Sequence, residues 1–316
     1  MAKLKVVTRR GALALAQTQM VIAAVKAQHP DVDIEVEEVT SEGDRDRRTV
    51  LWNLKDTGFF TSRLEEILVA GEADFAVHSF KDLPTRQREG LTVGAVYDRR
   101  FPQDCLLARR PVASLDELGV GAKIGTSSLR RVAQLRHLRK NLVPVPVRGN
   151  VQTRIRKLQE GDLDAIVLAR AGLERLGLTG LISFAFDPYQ FVPAPAQGAL
   201  AIQTRVADTR TNEMLSSIDD PEARAITEAE RQVLVGLRCG CHAPVGAYAE
   251  CAGNTLTLEA FIADPSGTEL LRARATGPVS SACEIGEEAA QKLLKAGGRR
   301  ILDTVEKDRD RGDIDG

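Results

Sequence analysis

Cysteine is scarce in this chain, with five in 316 residues at positions 105, 239, 241, 251 and 283. So few and so scattered, they do not form a disulfide framework, and a reduced protein is expected. Net charge is nearly absent as well, at -1, which excludes a globally basic nucleic-acid binder and confines any anion recognition to a local patch. No apolar run approaches the ~18 residues that a membrane span needs. The opening MAKLKVVTRR has no apolar core of a secretory signal, so a cytoplasmic protein is expected. There is no GxxxxGK[ST] loop, which weakens the case for a nucleotide. What is present is ordinary for a globular protein: 43% apolar and 28% charged residues, in a 34.3 kDa chain long enough for two or three domains.

The first two-thirds alternates short apolar runs with helical spacing. KLKVVT (3–8), DIEVEEV (33–39) and DFAVHS (74–79) read as strands, and LALAQTQMVIAAVKAQ (13–28) as a helix. A helix near 62–70 carries Ser62 and Glu65 at capping-box spacing. The pattern restarts with KIGT (123–126), a helix from SSLRRVAQLRHL, VPVPV (143–147), a helix opened by Asn150 and closed near Gly161, then DAIVLA and the helix AGLERLG. Such alternation predicts an α/β fold with parallel sheets flanked by helices, and ligands collecting at the carboxyl ends of strands. After about residue 220 a long helix, EARAITEAERQVLVGL, precedes AYAEC, TLTLEAFIA and ELLRARATG, separated by turn signals. That predicts a smaller α+β domain with an antiparallel sheet. A last helical region covers roughly 284–306, and the charged residues 309–316 read as a disordered tail.

Charge is uneven along the chain. Residues 123–157 hold ten Lys or Arg, no Asp or Glu, and no Phe, Tyr or Trp. A solvated basic face explains several of the ten. Yet Arg130, Arg131 and Arg148 follow strands, and Ser127–Ser128 open a helix whose free N–H groups suit an anion. Arginine holds carboxylates in a two-pronged geometry. Without aromatic stacking partners, a small polycarboxylate or phosphate fits this stretch better than a nucleic acid. HSFKDLP (78–84) places His78, Lys81 and Asp82 at a strand exit. Taken alone, His78 reads as a satisfied strand histidine. Asp82, facing a cationic pocket, would stay ionised and could stabilise a developing positive charge or relay a proton.

In GLRCGCHAPVG (236–246) two cysteines are separated by one glycine. The spacing does not match the paired ligands of a structural zinc site, the CxxCH of haem attachment or the CxxC of thioredoxin-like redox centres. A nucleophilic or anchoring cysteine on a flexible loop remains, as does a redox or metal sensor built on Cys239, Cys241 and His242.

Seven segments together resemble the porphobilinogen deaminase (hydroxymethylbilane synthase) family of tetrapyrrole biosynthesis. They are TRRGALALAQ (8–17), FAVHSFKDLP (75–84), IGTSSLRRVAQL (124–135), VRGNVQTRIRKL (147–158), DAIVLARAGLERLG (164–177), PAPAQGALAIQTR (193–205) and GCHAPVGAYAE (240–250). They stand in the family's order and cover nearly the whole chain. The resemblance implies two lobes like those of periplasmic binding proteins, with domain 1 at 1–98 and 193–217, domain 2 at 99–192, and a third domain at 218–308. It implies a dipyrromethane cofactor bound to Cys241 through a thioether, with Cys239 standing where the family has glycine. Lys81, Asp82, Thr126, Ser128, Arg130, Arg131, Arg148 and Gly149 would hold that cofactor. Arg9, Gln17, Phe60, Arg148, Arg154, Arg175 and Gln197 would bind porphobilinogen or the lengthening chain. Asp82 would be the catalytic carboxylate in the joining of four porphobilinogen units with loss of ammonia. A monomer is implied, with no metal, nucleic acid or membrane, and a hand-over of product to uroporphyrinogen-III synthase.

Some positions depart from the family. Gly11 replaces a serine, and Asn53 and Thr57 stand where lysines are usual, in a lid-like segment (45–60) that also carries Arg45, Arg47, Arg48, Lys55 and Trp52, the single tryptophan. The main rival is a non-catalytic small-carboxylate binding protein of the same two-lobed fold, which would need the arginines but neither Asp82 nor Cys241.

Overall fold

The computed structural model describes residues 3–40, 61–240 and 243–311. In chain order these form β1 (Lys3–Arg9), α1 (Ala12–Gln28), β2 (Asp33–Val39), α2 (Ser62–Val69), β3 (Phe75–Ser79) and β4 (Leu91–Tyr97). Next come β5 (Asp104–Ala108), β6 (Lys123–Gly125), α3 (Leu129–Leu138), β7 (Val143–Val145), α4 (Val151–Glu160), β8 (Ala165–Ala169), α5 (Arg170–Arg175) and β9 (Phe184–Ala185). The chain continues through β10 (Leu200–Arg205), α6 (Thr209–Ser216), α7 (Pro221–Leu237), β11 (Val245–Ala252), β12 (Thr255–Ala263), β13 (Leu270–Pro278), α8 (Ala282–Lys295) and α9 (Gly298–Arg311).

Two five-stranded sheets share one plan. The first has the order β2-β1-β3-β10-β4 and the second β7-β6-β8-β5-β9. In each, the leading three strands are parallel, and one antiparallel strand, β10 or β5, is inserted next to the edge. The expected parallel sheets are therefore mixed. The reason is connectivity: the chain leaves the first sheet after β4 and enters the second through β5, then returns after β9 through β10. A strand arriving from the other lobe has no crossover helix to reverse it, so it runs antiparallel. Two chain segments thus join the lobes, around residues 98–103 and 186–199. They are tightly wound. Asp98, Phe101 and Ala196 adopt positive φ, and at Gly198 (φ +95) a Cβ would lie 2.5 Å from the Arg100 carbonyl oxygen. Only glycine fits there without a shift of backbone.

Local signals set several boundaries. Asn150 caps α4 by accepting from the Thr153 N–H at 2.9 Å, and Gly161 ends it at φ +96. Glu65 behaves differently from the capping-box expectation: it is buried, and its Oε1 accepts from Gln203 Nε2 at 3.1 Å.

The third unit is the antiparallel meander β11-β12-β13 covered by α7, α8 and α9. Its core is rich in alanine (Ala229, Ala247, Ala249, Ala260, Ala289, Ala290), so the layers approach closely. At Gly286 an added Cβ would meet the Ala229 carbonyl oxygen at 2.4 Å, and at Gly236 it would meet the Ala290 Cβ at 2.6 Å. The expected single C-terminal helix is two, α8 and α9, broken at Gly297 (φ +108). The second runs to Arg311, so residues 309–311 are helical rather than part of a tail. Ile301, Leu302 and Val305 anchor it to the core.

Candidate functional site

β3 ends in a short 3-10 turn, Phe80–Asp82, at the carboxyl edge of the first sheet. Each residue leading to Asp82 is pinned. Gln17 of α1 donates from Nε2 to Ser79 Oγ at 2.9 Å, and the Phe80 N–H donates to the Ala199 carbonyl at 3.0 Å. Lys81 Nζ donates to Gln197 Oε1 at 3.1 Å. Asp82 itself is exposed. His78, within β3, is buried and bonds Gln203 Oε1 through Nε2 at 3.1 Å. Burial pushes its pKa down to about 4, with the charge of Arg9 adding to the effect. It is a neutral strand histidine, as its sequence context implied.

The second lobe supplies the opposing charge. α3 begins just after Thr126, Ser127 and Ser128. Ser127 Oγ donates to the Val147 carbonyl at 2.8 Å, joining the β6 and β7 exits. Thr126 is fully buried and Ser128 half-buried. Gly149 (φ +113) has Thr153 Cγ2 2.6 Å from where a Cβ would stand, so this turn requires glycine. Arg154 Nε donates back to the Gly149 carbonyl at 2.8 Å. Burial, together with the charges of Arg131 and Arg148, lowers the Arg154 pKa to about 10, while Asp82 opposes the shift. Lys81 is likewise lowered to about 8, mainly by burial, with Asp82 opposing and Arg131 and Arg130 reinforcing. Lys81 and Asp82 of one lobe thus lie within electrostatic reach of Arg131 and Arg154 of the other.

Sequence reasoning missed the residue at the centre of this wall. Asp104, at the first position of β5, is fully buried. Arg130 Nη2 lies 2.8 Å from its Oδ2, and Arg131 Nη2 2.7 Å from its Oδ1. Gln197 Nε2 donates to the same Oδ1 at 2.8 Å. Burial would raise the pKa of Asp104, but the two guanidinium charges outweigh it and hold the carboxyl well below the usual range. Arg130 and Arg131, expected to face the cofactor, are therefore buried and each shares this one carboxylate. Two cations on one anion leave local positive charge. Lys81, Gln197 and Asp104 form a hydrogen-bonded chain from one lobe to the other.

Other members of the basic stretch have structural duties. Arg136 donates to the Pro265 carbonyl at 2.9 Å, Arg139 to the Leu118 carbonyl at 3.0 Å, and Arg156 pairs with Glu160 on the surface at 3.5 Å. Arg175, expected at the substrate, is engaged at the lobe junction. Its Nη2 donates to Asp98 Oδ2 at 3.0 Å and to the Gly198 carbonyl at 2.6 Å. Arg9 is half-buried, beside His78.

Two residues of α7 were also missed. Glu230 is fully buried, ion-pairs with Arg99, and accepts from the Ala196 and Ala249 N–H groups at 2.7 and 2.9 Å. Arg231 is buried against the Asp82 turn. The available signal was the pair's position within the apolar stripe Ala225, Ala229, Val233 and Leu237. The helix ends at Arg238 in the left-handed region (φ 53), and Cys239 packs against the third unit's core. Cys241, His242, Phe60 and the segment with Arg45, Arg47, Arg48, Trp52, Asn53, Lys55 and Thr57 lie outside the described residues.

A family model described as "Porphobilinogen deaminase, dipyromethane cofactor binding domain" matches residues 4–213. A second, "Porphobilinogen deaminase, C-terminal domain", matches residues 225–295. A porphobilinogen deaminase of Desulforudis audaxviator is 46% identical over 298 residues, covering 94% of this chain and 96% of that protein. One from Desulforamulus reducens is 42% identical over 304 residues, covering 96% and 98%. Among solved structures, the methionine binding protein MetQ aligns with 14% identity and a TM-score of 0.44, over 70% of this chain and 92% of that one.

Proposed function

The chain belongs to the porphobilinogen deaminase family, and we propose that Asp82 is its catalytic carboxylate and Cys241 its cofactor anchor. It is a transferase of tetrapyrrole biosynthesis with a dipyrromethane cofactor, and the binding-protein alternative is not favoured. The observation that carries the site assignment is the meeting of Asp82 and Lys81 with Arg131, Arg148 and Arg154 at the edges of two lobes.

That meeting fits the cofactor. A dipyrromethane bears acetate and propionate side chains, and this wall holds more positive than negative charge. Lys81 and Arg154 are half-buried among other cations, which lowers the pKa of both. Incoming carboxylates would offset the crowding of like charges. Lys81, Thr126, Ser128, Arg130, Arg131, Arg148 and Gly149 would hold the cofactor. Of these, Arg130 and Arg131 act while already bound to Asp104, through the excess charge they share. When bound, dipyrromethane supplies the free pyrrole α-position to which substrate units are joined.

Porphobilinogen enters with Arg9, Gln17, Phe60, Arg148, Arg154 and Gln197 around it, and Arg175 sets the lobe junction behind them. Its carbon–nitrogen bond breaks, ammonia leaves, and positive charge spreads over the pyrrole ring. The exposed Asp82 carboxylate stabilises that charge beside the ring N–H. A carbon–carbon bond then forms, and the displaced ring proton leaves with Asp82 positioned to assist. Four such additions would lengthen the anchored dipyrromethane by four rings, and breaking the bond that joins those rings to the cofactor, with water added at the freed carbon, would release the linear tetrapyrrole. The working units are 1–98 with 193–217, 99–192, and 218–308, acting as a cytoplasmic monomer that passes product to uroporphyrinogen-III synthase.

The test is Asp82→Asn. We expect turnover to fall by about 10²–10³-fold, the scale for losing one preorganised electrostatic group. Folding should change by less than about 0.5 kcal/mol, because the side chain is exposed. Steady-state turnover beside a urea melt reads both, and wild-type turnover would contradict the assignment.

A further inference from the structure

Among the described residues, no side chain hydrogen-bonds or ion-pairs with the Asp82 carboxylate. Its position is therefore set by the backbone of the turn, and that backbone is gripped from the third unit. Arg231 of α7 donates from Nη1 to the Phe80 carbonyl at 3.3 Å and to the Leu83 carbonyl at 2.9 Å. From Nη2 it donates to the Pro84 carbonyl at 2.7 Å. Its guanidinium also lies over the Phe80 ring, 4.4 Å from the centroid. Asp82 sits between the gripped carbonyls of residues 80 and 83. The planar fork reaches three acceptors and a ring face at once, which a lysine ammonium cannot do.

The helix turn that holds Arg231 is itself fixed in three directions. Its neighbour Glu230 is tied to β11 through Ala249, to the second interlobe segment through Ala196, and to the first through Arg99. Gly286 and Gly236 let α8 press against the same helix. Ten residues after Arg231 comes Cys241. One helix therefore grips the Asp82 turn near its middle and runs on to Leu237.

We propose that Arg231 is a positioning residue for catalysis, holding the Asp82 carboxylate in place at the edge of the first lobe. The proposal rests on Asp82 being the catalytic carboxylate. Electrostatic and proton-transfer assistance depend steeply on placement, and a shift of about 1 Å can cost about 10²-fold in rate. Substrate carboxylates are held by other residues, so turnover responds and apparent affinity does not.

The experiment is a double-mutant cycle on purified holoenzyme with Arg231→Met, Arg231→Lys, Asp82→Asn and the Arg231→Met/Asp82→Asn double variant. Three readouts are taken: intact mass for the cofactor adduct, thermal melting, and kcat and KM for porphobilinogen. We expect Arg231→Met to retain the adduct, to lose about 10–100-fold in kcat, and to hold KM within about threefold. Arg231→Lys should lose less. Added to Asp82→Asn, Arg231→Met should cost less than about threefold more, because its effect runs through Asp82. Wild-type kcat per adduct-bearing molecule, whatever the melting temperature, would overturn the proposal. So would a full multiplicative loss in the double variant. If Arg231→Met fails to fold, Arg231→Lys decides: unchanged kcat in folded protein overturns the role. Wild-type turnover in Asp82→Asn alone is a separate result, striking the Asp82 reading first and this role with it.

Discussion

Asp104 shows what a single buried carboxylate does in this site. It neutralises part of the charge of Arg130 and Arg131, fixes both, and receives Gln197 from the other lobe. Asp104→Asn would leave two buried guanidinium groups without their anion. The expected cost is about 3–5 kcal/mol, measured as a lowered urea midpoint. The arginines were legible in the sequence and Asp104 was not. It lies outside the acid-free stretch that drew attention, and only the fold brings residue 104 against 130 and 131. His78 gives a pH signature. Its folded pKa of about 4 lies below its unfolded value of 6.5, so between these the unfolded chain binds more protons. Stability therefore falls as pH drops through that window, by up to about 3 kcal/mol in all. His78→Gln should flatten this limb in denaturant melts taken from pH 6.5 to pH 4, and an unchanged slope would show that His78 is not its source.

Elements were readable where the signal was local. Asn150 and Gly161 bounded a helix correctly, because a cap bond and a left-handed residue depend on few neighbours. The three C-terminal strands were likewise delimited by their turns. β5 and β10 were not placed in their sheets, because their direction follows from which lobe the chain has just left. The roles of α7 were hidden for a similar reason: Glu230 and Arg231 meet partners at positions 99, 196, 249 and 80–84. The α7–α8 contact yields a prediction at this scale. Gly286→Val would push a side chain into the Ala229 carbonyl, already 2.4 Å from a simple Cβ. Overpacking of this kind costs about 1–3 kcal/mol, and with roughly 2–4 °C lost per kcal/mol in a chain this long, a calorimetric scan should detect it. An unshifted melting temperature would mean the helices separate freely.

The whole molecule is two lobes joined by two crossings of the chain, with a third unit whose helix α7 touches the Asp82 turn. Charge is divided accordingly. Asp82 and Lys81 come from the first lobe and Arg130, Arg131, Arg148 and Arg154 from the second. The two-lobed plan was legible through seven motifs in register. The packing between units, which carries Asp104, Glu230 and Arg231, was not, since no motif encodes a contact across lobes.

The measurement that bears most directly on this account is the intact mass of the denatured protein for wild type, Cys241→Ser and Cys239→Ser, each purified and then supplied with porphobilinogen. Wild type and Cys239→Ser should each carry one dipyrromethane of added mass, and Cys241→Ser none. An adduct that persists in Cys241→Ser, or that disappears equally from both variants, would contradict it.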